Sequence, residues 1–320
     1  MRTHGHGQGY LDLNFLIPET VEKLTYRKGT YSARTGDFST AASAEFDFYE
    51  RLPSNLVQVT GGSYDFWRGL AAGSSELGSA TLTGALDVTG YEGPWDLPED
   101  LRQVRVHLGG SFDLAGHRAR ITLQGYDGAW DSTDQIPSRA VEEGLIDRLG
   151  FIDPELGGET QRWALIGELA LGQADLTAYV VDYDFQLFSN FTYLLNDPVR
   201  GDQFEQTDKR MIYGGSLAGL TEFSESTYFR WGGDLRIDDI DEVGLYNTEA
   251  RSRFNTVRQD SVRQSSVSGY AELEVSPLER LRLVGGVRAD YFDWRVDALR
   301  EANSGSGDDA LLSPKPVSYT

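Results

Sequence analysis

The chain has no cysteine in its 320 residues, only 10 prolines, two methionines and four histidines. Without cysteine there is no disulfide framework, thiolate zinc site or cysteine nucleophile. His4, His6, His107 and His117 are too few for a His-rich metal centre. Positive charge is scarce as well: 29 Lys and Arg stand against 50 Asp and Glu, a formal charge of −21. Nucleic acid is excluded as the main partner, because phosphate binding needs a cationic face. No stretch reaches the roughly 18 apolar residues of a membrane helix. The most apolar region, 163–181, is interrupted by Glu168 and Asp175. Residues 1–6 lack the apolar core of a signal peptide. Neither absence speaks against a β-barrel, which crosses a bilayer on alternating strands.

What is abundant points to strands and tight turns: 36 Gly, 16 Tyr, 15 Phe and 6 Trp. From about residue 79 the dominant period is two. Trp163, Leu165, Leu169 and Leu171 share one parity, and Arg162 and Glu168 the other. Leu281, Leu283, Val287 and Tyr291 alternate with Arg280, Arg282, Arg288 and Asp290. Asp87, Arg118, Arg120, Asp234 and Arg236 fall on polar parities in the same way. Successive strand side chains point to opposite faces, so each segment has one apolar and one polar face. Strands are expected at 55–61, 66–76, 79–90, 101–113, 116–128, 161–172, 174–188, 210–221, 226–238, 264–276 and 279–296, with a twelfth at 311–318. Most are far longer than the usual soluble strand of about 5 to 6 residues, and match the roughly 9 to 11 that a tilted strand needs to span a bilayer. Short turns at 113–116, 172–174, 221–226 and 276–279 alternate with long loops expected at 129–160, 190–209 and 239–262, as in outer-membrane barrels. Tyr91, Trp95, Tyr126, Trp130, Tyr183 and Trp294 cluster near the long-loop ends, where interfacial girdles lie. Eight acids against Arg139 and Arg148 make 129–160 acidic.

Residues 21–31, Val-Glu-Lys-Leu-Thr-Tyr-Arg-Lys-Gly-Thr-Tyr, resemble the last conserved plug segment of TonB-dependent outer-membrane receptors. Residues 9–19 resemble the plug strand and short helix before it, and 43–49 the final plug strand. Residues 276–291 and 312–315 look like mid-barrel turn and strand starts. Lys28 and Thr30 depart from the family's Arg-Gly-Pro, and Ala41-Ala42-Ser43 replaces its Gly-Gly. The resemblance implies an all-β fold: an antiparallel up-and-down transmembrane β-barrel, partial at about 11 to 12 of the family's roughly 22 strands, with the C-terminal part of a plug domain. Residues 1–52 would be plug and 53–320 the first half of the barrel, an open sheet unable to transport alone. The implied function is active uptake of a scarce ligand: a siderophore-like iron complex, haem, cobalamin or an oligosaccharide. The implied partners are outer-membrane lipid of a Gram-negative cell, the ligand, and the TonB complex through a TonB box that this chain lacks. No enzyme activity, cofactor or metal is implied.

Within that resemblance Arg27 matches a plug arginine that pairs with barrel carboxylates, and Glu168, Glu272 and Glu274 are its candidate partners. Residues 31–38 would face outward, with Tyr31, Arg34 and Asp37 as ligand contacts. His4 and His6 lack a third ligand, 5–9 is no phosphate loop, and 238–242 lacks the spacing of a Ca²⁺ loop. Catalytic groupings are missing from the glycine-marked turns. The rival reading is a soluble or surface glycan-binding propeller or sandwich. In that case the apolar parities of 163–171 and 281–291 would be buried; in a barrel they form an exposed band about 25 Å tall. A passive pore would have no plug.

Overall fold

The structure, a computed structural model, describes residues 12–300 apart from 30, 37, 38 and 40. The twelfth strand expected at 311–318 lies outside these residues. A single 3-10 turn, Pro18–Thr20, opens with proline at its first position, where the ring suits the required φ. It leads into a two-stranded antiparallel sheet, β1 (Val21–Lys28) with β2 (Ala42–Phe48).

The rest is one antiparallel meander: β3 (Leu56–Gly61), β4 (Trp67–Leu77), β5 (Ala80–Tyr91), β6 (Leu101–Leu114), β7 (His117–Asp131), β8 (Gly157–Ala170), β9 (Ala174–Ser189), β10 (Phe204–Ser224), β11 (Thr227–Glu249), β12 (Ser252–Leu278) and β13 (Leu281–Ala298). Every strand pairs with its sequence neighbours, and among the described residues the sheet is open, with β3 and β13 at its ends. The eleven strands lie where the eleven between 55 and 296 are expected.

Two differences from these expectations stand out. The loop expected at 239–262 is instead the continuation of β11 and β12, which meet in a two-residue turn at Ala250 and Arg251. Both turn residues have positive φ (49° and 62°), the mirror-image turn whose twist suits a hairpin. Their sequence is charged on both faces, so no apolar alternation marks the extension as strand. The 129–160 loop contains a short helix, α1 (Ser138–Glu142).

The apolar parity is uncovered. Trp163 is 39% exposed, Leu165 47%, Leu283 54%, Val287 71% and Tyr291 58%. Among the described residues no second layer packs on this face, so the sandwich and propeller readings fail. The band ends where charged or polar residues enter the same parity, at Gln161, Asp182, Lys209, Asp239, Arg263 and Asp293, all exposed. From Trp163 to Leu171, or Leu281 to Tyr291, a tilted strand climbs roughly 20–25 Å, enough for a barrel's lipid band. Four aromatic rings on the sheet lie over the glycine directly across the ladder: Trp67 over Gly90, Trp163 over Gly125, Tyr179 over Gly214 and Trp231 over Gly219. A Cβ at any of these glycines would collide with the ring.

Candidate functional site

The polar face of the sheet is stoppered by the described residues between 12 and 52. Ile17 and Leu52 are buried with Leu70, Ala72 and Ala85 of β4 and β5. Burying a side chain such as Ile17 contributes about 2 kcal/mol. Around this apolar contact the wall presents arginines. The guanidinium of Arg68 on β4 donates to both carboxylate oxygens of Glu19 at 2.7 and 2.8 Å, and its Nε to Asp87 at 2.5 Å. Asp87, fully buried, also accepts from Arg105 at 2.6 Å. Arg105 in turn donates to the Asn14 carbonyl at 2.5 Å. The hydrogen bond from Arg68 holds the Glu19 carboxyl below the usual carboxylate range. Arg120 donates to the Phe48 and Tyr49 carbonyls at 2.8 and 3.0 Å, and Arg118 to Glu50 at 2.5 Å. Arg162 lies over the Phe15 ring at 3.8 Å, and His107 beneath Phe48 at 5.1 Å.

The β10–β13 wall is built differently, because its arginines pair within the sheet. Arg230 reaches Glu274 at 2.7 Å and Glu272 at 3.5 Å. Arg282 bonds Glu274 at 2.9 Å. Arg210 bridges Asp208 (2.7 Å) and Asp238 (3.5 Å), and Arg236 also holds Asp238 at 2.6 Å. Arg288 pairs with Asp290 at 2.8 Å and Asp234 at 3.1 Å.

The expected pairing of Arg27 with Glu168, Glu272 or Glu274 is not formed among the described residues. Arg27 is exposed on β1 opposite Ser43. Glu272 and Glu274 are occupied by Arg230 and Arg282, while Glu168, the ladder partner of Arg120, is exposed. The stopper's tie to the wall runs instead through its own carboxylate Glu19 to a wall arginine, the reverse of the expected polarity. Tyr31 is 90% exposed. Arg34 pairs with Glu45 at 2.9 Å, both about half exposed. The 31–36 segment rests on β12 and β13: the Ala33 amide donates to Glu272 at 3.0 Å, and Arg288 to the Ala33 and Arg34 carbonyls at 3.4 and 3.1 Å. These contacts lie on the half of the wall nearer the short turns, whereas 12–15 touch the half nearer the long loops. Asp37 lies outside the described residues.

At the long-loop end the loops are tied together. Arg251, at the β11–β12 tip, donates to Asp131 at 2.7 Å, the Glu155 carbonyl at 2.9 Å and the Leu156 carbonyl at 3.0 Å. Its amide donates to the Gln203 side chain at 2.8 Å. Gln203 and Asn190 both donate to Asp153, at 3.0 and 2.9 Å, and the Asn190 amide to Asp134 at 2.7 Å. Burial raises the Asp134 pKa. Among the described residues no group of three or more His, Cys, Asp or Glu could hold a metal ion.

An antiparallel meander with one bare apolar face and a polar face stoppered by a separate strand pair is the architecture of a plugged outer-membrane β-barrel. No protein-family model and no curated protein matches the sequence. Solved structures do match: the copper transporter OprC (TM-score 0.67, 16% identity, 93% of this chain and 47% of that one) and the open form of the ferric-catecholate import receptor Fiu from E. coli K12 (0.68, 12%, 94% and 55%). The siderophore receptor PiuA from Acinetobacter baumannii matches at 0.66, with 13% identity over 90% of this chain and 49% of that one. The shared fold is that of TonB-dependent outer-membrane receptors, of which this chain spans about half the length.

Proposed function

We propose that the chain is the C-terminal part of a plug (1–52) and the first half of a barrel (53–320) of a TonB-dependent receptor in a Gram-negative outer membrane. It takes up a scarce ligand, with a ferric complex as first candidate, without making or breaking a covalent bond. The observation that carries this reading is the Glu19–Arg68–Asp87 tie across the stoppered polar face. A passive pore has no use for a stopper held by ion pairs, whereas an energised receptor needs one that holds at rest and yields under force. The structural neighbours support the ligand class: a copper transporter, a ferric-catecholate import receptor and a ferric citrate transporter.

The test is radio-iron uptake by cells expressing the full-length protein, with and without TonB. Uptake of at least one ferric complex is expected only with TonB. Equal uptake without TonB would show a passive pore.

A further inference from the structure

The two halves of the wall neutralise their arginines differently. In β10–β13 each cation named above has a carboxylate in the same sheet. In β4–β8 the stopper supplies many of the partners: Arg118 uses Glu50, Arg120 two carbonyls, and Arg68 and Arg105 share the in-sheet Asp87 but add Glu19 and the Asn14 carbonyl. Arg162 stacks on the stopper's Phe15. These side chains share the polar parity of neighbouring strands and follow one another down the wall. Arg105, Tyr126 and Arg162 form one cross-strand row. His107 and Gln124 form the next, and Arg120 and Arg118 lie toward the short turn. His107 Nε2 and Gln124 Oε1 are buried without a hydrogen-bond partner, so this row is polar surface the stopper covers but does not satisfy.

Moving the stopper would therefore strip Arg118 and Arg120 of these partners and leave Arg68 and Arg105 with Asp87 as their carboxylate, whereas in β10–β13 Arg288 would lose two carbonyls and every ion pair would stay. Glu168 lies opposite Arg120 and Asp113 opposite Arg118, and neither makes an ion pair with the arginine across from it. In a chain of net charge −21, this is a local file of cations, with Arg118 already exposed and Arg120 and Arg162 uncovered further when the path opens. We infer that the β4–β8 face is the route of the ligand and that the ligand is an anionic complex, one presenting carboxylate, catecholate or phosphate oxygens. Arginine suits such oxygens because its planar fork donates two parallel hydrogen bonds. The inference rests on the transport reading.

The test compares full-length parent, Arg118→Gln/Arg120→Gln and Arg118→Lys/Arg120→Lys proteins. Lysine keeps the charge but cannot span the Phe48 and Tyr49 carbonyls as the fork of Arg120 does. Uptake of a ferric tris-catecholate should fall about ten-fold or more in the Gln variant and stay within about two-fold of parent in the Lys variant. Equal loss in both would mean that these residues only anchor the stopper, and loss in neither would overturn the route. A second measurement does not need a transported ligand: the reversal potential of the same proteins in planar bilayers across a KCl gradient, the channel opened with urea. The Gln variant should shift toward cation selectivity and the Lys variant should not. An unshifted Gln variant overturns the inference. A parent that takes up no ferric complex while the shift is present defeats the transport reading alone.

Discussion

Glu19 is held at both oxygens by one guanidinium, in a site only partly open to solvent. Its folded pKa is depressed, so its contribution is complete above the ordinary glutamate value and is lost as pH falls through the depressed one. Glu19→Gln keeps the shape and removes the charge. The 17–20 segment should then open more easily by about 1–3 kcal/mol, and the acid dependence of its opening should flatten. Hydrogen exchange of these amides between pH 7 and pH 3 checks both, and unchanged protection would show that Arg68 is satisfied by Asp87 alone. Little of this was legible in advance. Arg68 and Asp87 fall on polar parities, but parity does not say which plug residue meets them. Arg27 carried the family resemblance, and Glu19 carried the contact.

Among the elements, the β11–β12 hairpin shows how a polar sequence can still be strand. Its extension has no apolar face to alternate, and it is fixed instead by cross-strand pairs such as Arg253 with Glu205 and by the tip contacts of Arg251. Arg251→Ala should leave the membrane-facing strands unchanged while loops 132–156 and 190–203 become more sensitive to protease added outside the cell. If sensitivity does not change, the tip is not what ties these loops together. The glycine–aromatic pairs act at the same scale. Gly125→Val would drive the Trp163 indole off the ladder at a cost of about 1–3 kcal/mol, read as a lower urea midpoint for the full-length protein folded in lipid vesicles.

The whole molecule is governed by the opposition of its two faces. A charge placed in the exposed apolar band must be drawn into lipid, at a cost of about 2–4 kcal/mol near the midplane and less toward the edges. Leu165→Arg should therefore destabilise the full-length protein in vesicles far more than Gln161→Arg, just above the band. Equal effects would mean that the bare face does not meet hydrocarbon. Among the described residues the sheet ends at β3 and β13, each with one unpaired ladder side, and an unpaired ladder is costly in lipid.

Strand number, order and facing were determined by the sequence itself, because a period of two writes each residue's side directly into the chain and short turns force neighbours to pair. The end of the apolar band was also written there, in the parity shared by Asp182, Asp239 and Asp293. Which stopper group meets which wall arginine, and that 31–36 settles low on β12–β13 while 12–15 lies high on β6–β8, was decided only by the tertiary structure. Those contacts join residues far apart in the chain through ion pairs and backbone carbonyls. A carbonyl is the same at every position, so sequence carries no mark of the one an arginine will choose.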